Sequence, residues 1–185
     1  EWILNTNCFY PEKYYQNDTR WSSEKLCNDN KKKSLGQVGC AVAVIANGLN
    51  AFANYNSLLS GGPLKEGLNP SFANKNMTSK TGADFTKLAK YISDNYKLKT
   101  TLTDTKDANK VIAASKTDKL TLIFAHMSTD STEGEHWINI NHVNFDGTFN
   151  GSDVYSNKEG GASSDYTKSD KSKFDRYIII EVNLN

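Results

Sequence analysis

The sequence predicts an α+β fold, N-terminal helices packed on a C-terminal antiparallel sheet. Three observations predict it: a lead-in with no clean period, then segments of apolar residues at helical spacing between Cys40 and Lys116, then strand-like segments in the last third. The 185 residues suit a single domain, 1–185, divided into a lead-in (1–36), a helical part (37–116) and a β part (117–185). No internal repeat is visible.

Trp2, Tyr14, Tyr15 and Trp21 give the irregular lead-in aromatic groups with which to pack. From Cys40 to about Ala53, Val42, Ile45, Ala46 and Leu49 share one helical face, and the alanine-rich remainder suits a helix covered on several sides. Between Ser60 and Asn76, Gly61-Gly62-Pro63 and Asn69-Pro70 predict loop or short helical turns. Thr81 and Asp84 stand at the spacing of a capping box, ahead of a second helix whose face is Phe85, Leu88, Ala89, Ile92 and Tyr96. A third helix is predicted over Asp107 to Lys116. Leu120 to Ala125 and Trp137 to Val143 read as strands, Asp146-Gly147 as a turn, Thr148 to Tyr155 as the return strand, and Arg176 to Leu184 as the last strand. Lys158 to Lys173, rich in Ser, Gly, Asp and Lys, reads as an exposed loop.

Composition excludes several classes. Lys plus Arg (22) nearly balance Asp plus Glu (21), so no strong field points to nucleic acid, and the Lys31-Lys32-Lys33 run reads as a solvated loop. The longest apolar stretch, Ala41 to Ala46, falls far short of the roughly 20 residues that cross a bilayer. A start at Glu1 fits a mature form after signal removal or an excised domain, and a secreted or extracellular location is the expectation. Three cysteines leave one over if two pair. Cys8 and Cys27 lie in polar surroundings and are the economical pair in an oxidising compartment, which leaves Cys40 free.

Cys40 is the candidate nucleophile. A thiol attacks as thiolate, and a helix N-terminus stabilises that anion through its unpaired N–H groups and dipole. Gly39-Cys40 sets the sulfur at such a start, Gly39 permits close backbone approach, and the Cys40 N–H can serve as one oxyanion donor. Against this, most free cysteines are small buried hydrophobes. The base has to come from His126, His136 or His142. His136 opens an alternating strand and shares with Ile138 and Ile140 the face expected to cover the helix. His142 lies on that same face but six residues away, about 20 Å at roughly 3.3 Å per residue, so at most one of the two reaches the sulfur. His126 ends the preceding strand and reads as a capping or loop residue. Asn139 and Asn141, like His142, either line the site or are ordinary strand polars.

A third group must accept the other imidazole N–H. Asp153 follows His136 by 153 − 136 = 17 residues on the return strand. A strict two-residue loop at Asp146-Gly147 would set Ile140 opposite Asp153 and His136 opposite Asn157. Asp153 therefore requires a longer or bulged loop, centred near Asn144-Phe145. Asn157 stays as its rival.

The run Tyr14-Tyr15-Gln16-Asn17-Asp18-Thr19-Arg20-Trp21, then Gly39-Cys40-Ala41, then Glu135-His136-Trp137 resembles bacterial and phage proteins related to the bacteriocin-leader-processing cysteine peptidases. Those proteins carry a Tyr-x-Gln-x-Asp-x-Arg-Trp stretch, a Gly-Cys-Ala helix start, a Gly-His-Trp or Gly-His-Tyr strand start and an Asp on the next strand. The resemblance spans roughly residues 14–155. It implies a papain-like cysteine peptidase fold in which Gln16 contributes to the oxyanion hole, Cys40 attacks, His136 shuttles the proton and Asp153 orients it. Gln37, three residues before Cys40, competes with Gln16, because papain-like enzymes carry their Gln a few residues before the nucleophile. The chain departs from the pattern where Cys27 stands for a usual Gly, Glu135 for the Gly before the His, and Asp153-Val154 for a usual Asp-Pro. Trp137 beside the base shields the pair from water, is core, or both.

The implied chemistry is hydrolysis of a peptide bond through an acyl-enzyme, with no cofactor and no metal, since the His and Cys residues lack zinc-ligand spacing. The implied partner is a peptide or protein substrate, cell-wall peptide included, acted on by a monomer. Alternatives are a peptidoglycan-lytic endopeptidase or amidase, an acyltransferase with the same triad, and a non-catalytic binding or effector module in which Cys40 is structural.

Overall fold

The computed structural model describes residues 13–27, 33–61, 65, 67–80, 82–127, 136–155, 166–169 and 173–184. Over these the chain is mixed α and β, with helices and antiparallel sheets. Residues 13–27 form turns and one isolated bridge between Lys25 and Ser34, as an aperiodic lead-in predicts. The short helix α1 (Leu35–Val38) ends at Gly39, and the central helix α2 (Cys40–Ser60) starts on the next residue. Helix α2 outruns its predicted end near Ala53, because its buried residues stop there and its last two turns face outward. Gly61 closes it in the left-handed region (φ 69°), which a glycine enters without a Cβ penalty.

Helix α3 (Pro70–Asn76) carries Pro at its first position and Asn69 as its cap, the Asn69 carboxamide oxygen accepting the Phe72 N–H at 3.0 Å. After the two-residue ladder of β1 (Thr78–Ser79) and β2 (Gly82–Ala83) comes α4 (Phe85–Tyr96). Its cap is Asp84, which accepts the Thr86 N–H at 3.0 Å; Thr81, the other half of the predicted capping box, lies outside the described residues. The predicted face is the observed one: Leu88, Ala89 and Ile92 are buried, with Phe85 and Tyr96 packed against them. Helix α5 (Ala108–Ser115) lies between Asp107 and Lys116 as its spacing predicts, capped by the Asp107 carboxylate.

Strand β3 (Thr100–Thr105) falls inside the stretch read as helical. It joins β4 (Leu120–Met127), β5 (His136–Val143), β6 (Phe149–Ser152), β7 (Tyr166–Ser169) and β8 (Arg176–Val182) in one sheet of order β3-β8-β4-β5-β6-β7, every pairing antiparallel. Strand β7 interrupts the predicted 158–173 loop; most of that loop lies outside the described residues, as do Lys31 and Lys32.

Period-two alternation assigns the sheet's two faces. Leu120, Leu122, Phe124, Trp137, Ile178, Ile180 and Val182 pack with α2, α3 and α4 on one face. Ile123, Ala125, Ile138, Ile140, Phe149, Tyr177 and Ile179 pack with Val111 and Ala114 of α5 on the other. Each fully buried Ile, Leu or Phe contributes about 1.5–3 kcal/mol, so covering both faces is what lets β8 be a nearly unbroken apolar run. Gly48 marks where α2 comes closest to the sheet: a Cβ there would lie 2.8 Å from the Phe124 ring. Among the described residues no helix is long and apolar enough to cross a membrane.

Candidate active site

The site is built where the start of α2 meets the start of β5. Cys40 is the first residue of α2 and is buried, its sulfur in no disulfide. Helix α1 delivers it there through Gly39, whose N–H donates to Leu35 O at 2.7 Å, and a Cβ on Gly39 would lie 2.4 Å from that oxygen. The close approach predicted for Gly39 is therefore a backbone contact that any side chain would break. N–H groups in the first turn of a helix have no partner inside it, and Cys40 stands at that end, where the helix dipole is positive.

His136 is the first residue of β5, and Cys40 hydrogen-bonds to its ring. Its Nε2 stands 2.8 Å from Asp153 Oδ1, just beyond the end of β6. Burial opposes charge on this imidazole, but the hydrogen bonds and charges of Asp153 and Cys40 outweigh it and push His136 up to about 10. Burial likewise opposes ionisation of Asp153. It is overcome by His136, by the Tyr155 N–H at 2.9 Å and by the charge of Lys13, so the carboxyl sits below the usual range. Both shifts favour the charged forms of the pair, and the oriented ring meets the Cys40 sulfur at a helix start.

Two sequence expectations about this geometry are corrected. The face of β5 that covers α2 carries Trp137 and Asn139, while Ile138 and Ile140 turn to the α5 side. His136 meets Cys40 from the strand's end and not as one of a row with the two isoleucines. The loop is indeed longer and bulged, but it is centred on Asp146, with Asn144 N–H bonded to Thr148 O and Gly147 at φ 82°. The register then shifts between Ile140 and His142, giving Asn139 opposite Ser152. Carried on, that register sets His136 opposite Tyr155, and Asp153 is reached diagonally across the pair of strands. The rival Asn157 lies outside the described residues.

Gln16 is buried. Its backbone N–H donates to Val154 O at 2.7 Å and its Nε2 to Gly36 O at 3.2 Å and Leu35 O at 3.5 Å, so it ties the Asp153 turn to the helix start. Gln37 is exposed and its Oε1 accepts from the Ser34 N–H (3.1 Å) and hydroxyl (3.2 Å), closing the capping box of α1. The Asp18-x-Arg20-Trp21 stretch folds on itself: Arg20 Nη2 meets Asp18 Oδ2 at 2.8 Å, its guanidinium lies 4.4 Å over the Trp21 ring, and Trp21 Nε1 donates to Tyr15 O. That ordering holds the segment bearing Gln16.

His126 is neither a cap nor a loop residue. It lies inside β4, buried, its Nδ1 2.5 Å from Asp175 Oδ1 and its ring edge-on to Trp137 at 5.1 Å. Trp137 is buried against Phe85 and Phe124's neighbourhood, so it serves the core beside the base. His142 is exposed, and Asn141 donates to Ser152 Oγ at 2.5 Å. Cys27 is half-buried; there is no disulfide among the described residues, and Cys8 lies outside them. Also among the described residues, no group of three or more His, Cys, Asp or Glu side chains gathers to hold a metal ion. Comparison with known protein families, curated proteins and solved structures found no match.

Proposed function

We propose that the chain is a papain-like cysteine peptidase that hydrolyses peptide bonds through an acyl-enzyme. The observation that carries this reading is the line Cys40, His136, Asp153: a helix-start thiol hydrogen-bonded to an imidazole whose Nε2 is held 2.8 Å from a buried carboxylate. A core cysteine needs no such partner, and an oriented base is what turns a thiol into a nucleophile.

In the proposed reaction the Cys40 sulfur, deprotonated against His136, attacks the carbonyl carbon and forms a C–S bond. The oxyanion is met by the Cys40 N–H and by Gln16 Nε2. The long 3.5 Å contact from Gln16 to Leu35 O is the one an oxyanion would replace. His136 gives its proton to the leaving amine as the C–N bond breaks, then takes a proton from water as the hydroxide adds to the thioester; breaking the C–S bond releases the acid and restores the Cys40 thiolate beside protonated His136. Asp153 stays ionised and holds the ring.

The test is incubation with a mixed pool of peptides, followed by mass-spectrometric mapping of new termini for wild type and Cys40→Ala. New termini made by wild type and absent with Cys40→Ala support hydrolysis. A peptide pool left equally intact by both proteins would remove the peptidase reading.

A further inference from the structure

Two asparagines buried in the core are tied to backbone, and both ties fall on the stretch of α2 that follows Cys40. Asn47, fully buried in the middle of the helix, uses its whole amide on one residue: its Oδ1 accepts the Tyr14 N–H at 2.8 Å and its Nδ2 donates to Tyr14 O at 3.0 Å. Asn139 of β5 donates from Nδ2 to Val44 O at 3.0 Å. Residues 40, 44 and 47 follow one another at spacings of four and three, which is one stripe of a helix. One stripe therefore presents the thiol, then the anchor of the histidine strand, then the anchor of the lead-in.

The consequences run through short covalent spans. Asn139 is three residues from His136 on the same strand. Tyr14 is two residues from Gln16, whose N–H holds Val154 O at 2.7 Å, and Val154 adjoins Asp153. The Asn47 bond pair thus closes a circuit from α2 through the lead-in to the triad carboxylate, and the Asn139 bond closes the other side through the histidine.

We propose that Asn47 is a positioning residue: its amide locks residues 14–16 onto α2 and so sets Gln16 and the Asp153 turn against the Cys40–His136 pair. Hydrophobic packing alone does not account for it, because an amide buried in an alanine- and valine-rich helix costs desolvation that only its two bonds offset. A leucine there has the same branched skeleton of heavy atoms and removes both bonds, though its methyl groups are bulkier than the amide, so its unfolding midpoint is read alongside. The inference rests on the cysteine-peptidase reading.

The experiment measures the rate of Cys40 alkylation by iodoacetamide across pH for wild type, His136→Ala, Asn47→Leu and Asn139→Leu, with thermal unfolding of each. The expected result is a folded Asn47→Leu whose Cys40 reacts about ten- to a hundredfold more slowly below neutral pH, its pH profile displaced toward that of His136→Ala. A merely structural asparagine would lower the unfolding midpoint and leave the profile unchanged, and that outcome overturns the proposal. If Asn47→Leu does not fold, Asn47→Ser, which retains one bond-forming hydroxyl, is read against the same two outcomes. The two failures are separable. Wild-type Cys40 that reacts no differently in His136→Ala removes the peptidase reading and this inference with it, whereas a His136-dependent wild type matched by Asn47→Leu removes only the role of Asn47.

Discussion

Burial and pairing act on His136 in opposite directions, and pairing wins, so the residue couples stability to pH. Its folded pKa, about 10, lies above its ordinary 6.5. The stabilisation from its charge is therefore complete below about pH 6.5 and is lost as pH rises through about 10. Asp153 is shifted the other way: its contribution is present above its ordinary 3.8 and is lost as pH falls through its lowered folded value. Between these limits the pair is fully charged. Thermal unfolding of wild type and His136→Gln should differ most at about pH 5.5 and converge above about pH 10. An equal difference at both ends would mean that folding does not raise the His136 pKa. The other histidine–carboxylate contact, His126 with Asp175, was not legible in the sequence, because the two residues are 49 positions apart and no local pattern joins them.

At the scale of elements, the junction of α1 and α2 is a tight constraint on where Cys40 sits. Gly39 lies against Leu35 O so closely that a Cβ could be admitted only by parting the two helices. Gly39→Ala should cost about 1–3 kcal/mol, and for a chain of this size each kcal/mol lowers the unfolding midpoint by about 2–4 °C. It should also slow Cys40 alkylation, since the displaced group is the helix start itself. An unchanged midpoint in a scanning melt would show that the junction is loose. The helices were largely legible: α4 from its 3.6-residue face, α5 from Asp107 as cap, and the start of α2 from Gly39-Cys40. Strand β3 was not, because Thr100–Thr105 is a half-exposed edge with a single apolar residue, Leu102, and carries no alternation. The facing of β5 was misread for a related reason. Residues 137–141 are buried on both sides, so alternation identifies two faces without saying which one meets α2. The residue types of the site were readable from Cys40, His136 and Asp153; the diagonal that joins the last two was not, because it depends on a bulge after Ile140.

Across the whole molecule, the sheet keeps the two halves of the site in register. Helix α2 lies on one face, α5 on the other, and β5 passes between them, so the strand that begins with His136 is held by core packing on both faces. A polar circuit through Asn47, Tyr14, Gln16 and Val154 then ties the carboxylate end of the sheet back to the helix that carries the thiol. On the proposed reading, the arrangement orients a base against a nucleophile before substrate arrives, which is the condition for a reactive cysteine.

The most direct measurement of that claim is alkylation of the native protein with a limiting thiol reagent at about pH 6, mapped by mass spectrometry, in wild type and His136→Ala. The account predicts selective labelling of Cys40 over Cys27 in wild type and a fall of about 10²–10⁴ in its rate in the variant. Slow labelling of Cys40, the same with and without His136, would contradict it and make the cysteine a structural residue of a binding domain.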